Sequence, residues 1–200
     1  MARSTEGLQP GVSGVFAHAV ETLHSAQFRP EVHLEETPAP KRLAPHTHAL
    51  SADVFVESDD DDPTATGRLV LLYDPAGQEA WHGEFRLVTY VRASLELEMG
   101  SDPLLPAVGW SWMIDALTNR SAPFTAPSGT VTRVSSEGFG GMADETATAE
   151  IEIRASWTPL DGELMPHALA WGDALTTAAG LVPLPTGVVA IPQKRTRRSR

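Results

Sequence analysis

The chain has 200 residues, 42% of them hydrophobic and 20% charged, with no cysteine and a formal net charge of −11. That length predicts one domain able to bury a core without staples. The absence of cysteine excludes disulfides, thiolate catalysis and Cys-containing zinc fingers. Charge is uneven. Lys194, Arg195, Arg197, Arg198 and Arg200 crowd the last seven residues, and without these five the body holds 10 basic against 26 acidic residues, a net −16. So acidic a body repels phosphate backbones, which leaves a nucleic-acid role to the tail. No apolar run approaches the ~18 residues of a membrane span, and the opening MARSTEGLQP offers no secretory leader, so a cytoplasmic protein without a membrane partner is expected.

Residues 1–10 read as a disordered lead, 11–185 as a single α+β domain and 186–200 as an extended basic tail. Val12, Val15, Phe16, Ala19, Val20 and Leu23 recur at helical spacing and predict an amphipathic helix. Three prolines make residues 37–46 an extended connector, and alternation over Leu50–Val56 predicts a strand. An aspartate-rich turn, Asp59–Asp62, follows; it lacks the spacing of a calcium loop and reads as a solvated hairpin loop. Leu69–Tyr73 is the next strand, and Asp74–Gln78 its turn.

From Glu84 to Glu98, Phe85, Leu87, Val91, Ala93, Leu95 and Leu97 point one way, and Glu84, Arg86, Tyr90, Arg92, Ser94 and Glu96 the other. Ser101-Asp102-Pro103 opens a helix. Thr130–Ser136 is a strand, EGFGGM a glycine-rich turn, and Thr146–Thr158 a strand with Ala147, Ala149, Ile151, Ile153, Ala155 and Trp157 inward. A last helix over residues 163–179 closes at Gly180. The expected fold is an antiparallel sheet of about five strands with helices on one face.

The order strand, turn, strand, helix occurs twice, over 67–118 and 129–179. Val-Arg-Ala-Ser at 91–94 matches Ile-Arg-Ala-Ser at 153–156, and Leu-Leu-Pro at 104–106 matches Leu-Met-Pro at 164–166. Asp-Ala-Leu-Thr recurs at 115–118 and 173–176. The pattern fits an internal ββα duplication, with convergence on a common hairpin-plus-helix motif as the alternative.

Arg92 and Arg154 occupy matching points of this repeat, on the face opposite the apolar side chains. Guanidinium forks suit a candidate anion-binding pair; the competing reading is a ladder of cross-strand ion pairs. His82 and His167 are candidate general bases for which no partner is visible. His46 and His48, two apart, share one side of an extended chain and start a metal site only with a third ligand that spacing does not name. Trp110, Trp112 and Trp171 read as core. Gly138, Gly140 and Gly141 lack the order of a phosphate loop, and no nucleophile elbow, zinc-protease or dinucleotide motif occurs. No catalytic residue, metal or cofactor is therefore expected.

LLPAVGWSWMIDAL at 104–117, IRASWTPL at 153–160 and HALAWGDAL at 167–175 together resemble an actinobacterial family catalogued as a domain of unknown function, over about residues 10–185. The resemblance implies a cytoplasmic bacterial protein of this length and a gene beside one for a ribonuclease D-like enzyme; it implies no catalytic residues. The favoured function is a non-catalytic binding or accessory module with a protein partner. The alternatives are a small enzyme acting on an anionic substrate through the arginines and a histidine, and an RNA-associated protein using its tail contacts.

Overall fold

A computed structural model describes residues 10–57 and 62–183, with the side chains of the first helix from Gly14 onward. The aspartate turn (apart from Asp62), the lead (apart from Pro10, which opens the first helix) and the basic tail lie outside these residues. Among the described residues, helix α1 (Pro10–His24) precedes three strands, β1 (Val32–Glu36), β2 (His46–Val54) and β3 (Ala65–Gln78). Strand β4 (Gly83–Leu95) leads into a short helix α2 (Leu97–Ser101) and a long one, α3 (Leu105–Asn119). Strands β5 (Phe124–Ser136) and β6 (Thr148–Pro159) and helix α4 (Met165–Ala178) complete the order. The six strands form one antiparallel sheet in the order β1-β2-β3-β4-β6-β5, so the fold is α+β.

The sheet's inner face and the helices make the core. Leu69, Leu71, Leu87, Val91, Ile151, Ile153 and Trp157 come from alternate positions of β3, β4 and β6. Above them lie Leu117 of α3, Trp171 and Leu175 of α4, and Ala19 and Leu23 of α1. Trp171 and Trp157 are among the largest fully buried side chains, consistent with aromatics anchoring the helix-to-sheet layer. Gly67 of β3 sits beneath Leu175, where a Cβ would collide with the leucine side chain, so this glycine sets how closely α4 approaches the sheet. Gly180, at φ +79°, ends α4 as read from sequence, with Leu181 N–H returning to Thr176 O at 2.9 Å.

The sheet has six strands rather than about five. The additional strand, β1, buries only Val32 and holds its place through backbone pairing with β2, so it has no alternation to betray it. Strand β2 starts at His46, inside the stretch read as a connector, because pairing with Tyr73 and Leu72 of β3 extends it. Asp74–Gly77 is a bulge rather than the hairpin turn: Asp74 Oδ1 accepts from Ala76 N–H at 3.0 Å, and pairing resumes at Gln78↔Gly83. The chain turns at Glu79–Trp81, with His82 left-handed at φ 58°. Strand β4 stops at Leu95, and Leu97, read as inward, lies exposed on α2. Strand β5 starts earlier than read, at Phe124, because a second bulge at Ala126 and Pro127 restores its register with β6.

Candidate functional site

Among the described residues, no helix covers the outer face of β4, β6 and β5. Two registers organise it. Val91 pairs with Ile153, and on either side Tyr90 pairs with Arg154 and Arg92 with Glu152. Each arginine is therefore one residue beyond the same central pair, on strands running in opposite directions.

The two arginines are brought together here, each beside a carboxylate. Arg92 donates from Nε and Nη2 to the two oxygens of Glu150, at 2.8 and 2.6 Å. Arg154 Nη2 lies 2.8 Å from Glu152 Oε2, and its guanidinium sits 5.1 Å from the centroid of the Tyr90 ring. Tyr90 in turn donates its hydroxyl to Glu152 Oε1 at 3.0 Å. Burial, with the Glu152 carboxylate beside it, holds the Tyr90 phenol above its ordinary range, so it stays a donor. The hydrogen bond to Glu150 raises the Arg92 pKa. A guanidinium has five N–H donors, and these contacts use two on Arg92 and one on Arg154. Both side chains remain about half exposed, at 51% and 55%, so unspent donors face solvent from fixed positions.

Arg86, further along β4, lies on the outward face that alternation predicts, but its burial is what alternation does not show. It points to the outer face yet is only 7% exposed. Its Nη1 donates to Ala126 O at 2.9 Å and Thr158 Oγ1 at 3.0 Å, and its Nη2 to Ser128 Oγ at 3.0 Å and Ser156 Oγ at 2.7 Å. No carboxylate is among these partners, and burial pulls its pKa down. The carbonyl of Ala126 reaches it because the β5 bulge puts that residue at φ 47°. A cation held by neutral dipoles thus fixes the bulge to β6. The hydroxyls that cage it come from strands about 40 and 70 residues away, beyond the reach of periodicity.

The two histidines are separated from this face in different ways. His167 is fully buried on α4, and its Nδ1 accepts from Trp157 Nε1 at 3.0 Å, which puts the ring proton on Nε2. Burial pushes its pKa down to about 4, against a smaller opposing pull from Asp161. His82 is exposed at the β3–β4 turn and lines a cleft of about 340 Å³ with Glu84, Phe85, Thr158 and Asp161. Trp171 is core, whereas Trp110 and Trp112 are only partly buried against it. His46 packs its ring 5.3 Å from Phe16, while His48 meets His24 of α1 and Glu36 of β1. The tail contacts, Lys194 to Arg200, lie outside the described residues.

Comparison with known families decides the classification, since the pattern described as "Protein of unknown function (DUF3000)" matches residues 12–189. The chain belongs to the DUF3000 family. The match spans every described strand and all of the helices except the first two residues of α1. No curated protein and no solved structure matches this DUF3000 chain. None of its helices is long and apolar enough to cross a membrane, among the described residues.

Proposed function

We propose that this DUF3000 protein is a non-catalytic, cytoplasmic binding module that recognises a protein partner with the helix-free face of its sheet. The observation that carries the reading is the pair Arg92 and Arg154. Both guanidinium groups flank the Val91↔Ile153 pair, are held by Glu150 and Glu152, and keep spare donors towards solvent. Preorganised forks lose little side-chain freedom on binding and suit carboxylates or backbone carbonyls of a partner segment. The same register supports an origin by duplication. The matching residues Val91 and Ile153 pair with each other across the two strands, so each half would supply one arginine.

Capture of partners by full-length protein tests this, alongside Arg92→Ala/Arg154→Ala and a chain ending at Gln193. A protein partner retained after nuclease and tail removal, but lost with the double substitution, is the expected result. Capture indifferent to the double substitution would remove the sheet face from consideration. Capture abolished by nuclease or by tail removal would favour an RNA-associated role. A catalytic role would centre on the cleft at His82, where Glu84 and Asp161 oppose an anionic substrate.

A further inference from the structure

Away from the sheet's outer face, three chain segments place metal-ligating groups at one spot. His24 is the last residue of α1, Glu36 the last of β1, and His48 the third of β2. The Nε2 atoms of His24 and His48 stand 2.9 Å apart. The Glu36 carboxylate reaches both rings, with Oε2 3.9 Å from His24 Nε2 and Oε1 3.8 Å from His48 Nδ1. One ligand atom from each residue falls within 4.8 Å of the other two.

We propose that His24, His48 and Glu36 bind a first-row divalent cation of the Zn²⁺ class, with water completing the coordination. Two imidazoles and one carboxylate form a borderline donor set that suits Zn²⁺ better than the oxygen-seeking Mg²⁺ or Ca²⁺. Ligand bonds of ~2.0–2.1 Å around a tetrahedral ion separate ligand atoms by about 3.3 Å. The 2.9 Å Nε2–Nε2 and 3.9 Å Nε2–Oε2 separations bracket that edge, and one ligand atom from each residue lies within 4.8 Å of the others, so modest side-chain shifts close the site. Glu36, with its side chain 66% exposed, is free to make such a shift, whereas His48 is 11% exposed and fixed. His46 is not a fourth ligand, because its ring is engaged between Phe16 and Tyr73 at 5.3 and 5.8 Å. The ion would tie the end of α1 to β1 and β2, and so act on the fold's first layer rather than on the arginine face.

The test is calorimetric titration of the full chain, stripped with a chelator, against Zn²⁺, with Co²⁺ visible absorption reporting the ligand set. One saturable equivalent per chain is expected, with the tetrahedral cobalt signature. Both should weaken by on the order of 100-fold or more in His24→Gln, since even outer partners of ligands are worth 10- to 100-fold. His24 is exposed, so this variant keeps the fold, to be checked by an unchanged circular dichroism spectrum in the absence of metal. Glu36→Gln should weaken binding less, and His18→Ala, whose histidine pairs with Glu163 at 2.7 Å, should leave it unchanged. Absence of saturable binding, or equal affinity in His24→Gln and the parent chain, would overturn the proposal.

Discussion

The two ββα units, β3–β4–α3 and β5–β6–α4, share an order of elements but not an environment. Helix α4 lies between α3 and α1 and buries His167, Ala168, Ala170, Trp171, Ala174 and Leu175. Helix α3 has α4 on one flank, and its buried set is Leu105, Gly109, Met113, Ala116 and Leu117. The residues preceding the two helices make the contrast sharpest. Leu164 is fully buried, with its N–H bonded to Thr22 Oγ1 of α1 at 3.0 Å, while Leu104 is 66% exposed. The strands differ in the opposite element order: β3 has neighbours on both sides, and β5 is an edge. Similar local sequences therefore fill different roles, because α1 packs on α4 of one unit while β2 flanks β3 of the other.

The largest expected effect separates the two tryptophans. Trp171→Ala should cost about 3–5 kcal/mol, because it empties a fully buried site between α4 and the sheet. Trp110→Ala, on the half-covered helix, should cost less than half as much by the same denaturant titration. Equal losses would break the contrast between the halves.

The second expectation concerns acid. His167 titrates near 4 when folded and near ~6.5 when unfolded, so the unfolded chain takes up the proton first. Its stabilising contribution is complete above about pH 6.5 and declines as pH falls towards 4, by up to about 3 kcal/mol in total. Denaturation midpoints measured from pH 7 to pH 4 should fall, and His167→Gln should flatten that part of the profile. The α3 sequence LPAVGWSWMIDALTN contains no histidine, so this sensitivity belongs to one half. The smallest effect is Leu104→Gln, which should leave the unfolding free energy within about 0.5 kcal/mol of the parent, as an exposed position allows.

Much of this architecture is legible in the sequence, for an identifiable reason. Strands β4 and β6 bury one face against helices, and that burial imposes the alternation that reveals them. Helices α1, α3 and α4 are likewise visible through their apolar spacing and, for α4, its terminal glycine. Strand β1 is not, since backbone pairing requires no pattern of side chains. Arg86 is hidden for the converse reason: alternation marks it as outward, and only the bulge at Ala126 and hydroxyls from β5 and β6 bury it. The meeting of His24, Glu36 and His48 depends on where α1 docks, which no local spacing encodes.

The position of β6 also dictates how the sheet must assemble. Its pairs with β4 run from Leu87↔Trp157 to Leu95↔Ala149, joining residues 54 to 70 apart in the chain. Strand β5, made first, cannot join β4 directly because β6 stands between them. The local units are the β1–β4 meander and the β5–β6 hairpin, and each can form with short loops. Docking the hairpin on β4 closes the longest loop, so that encounter, rather than any hairpin, is the step expected to set the folding rate.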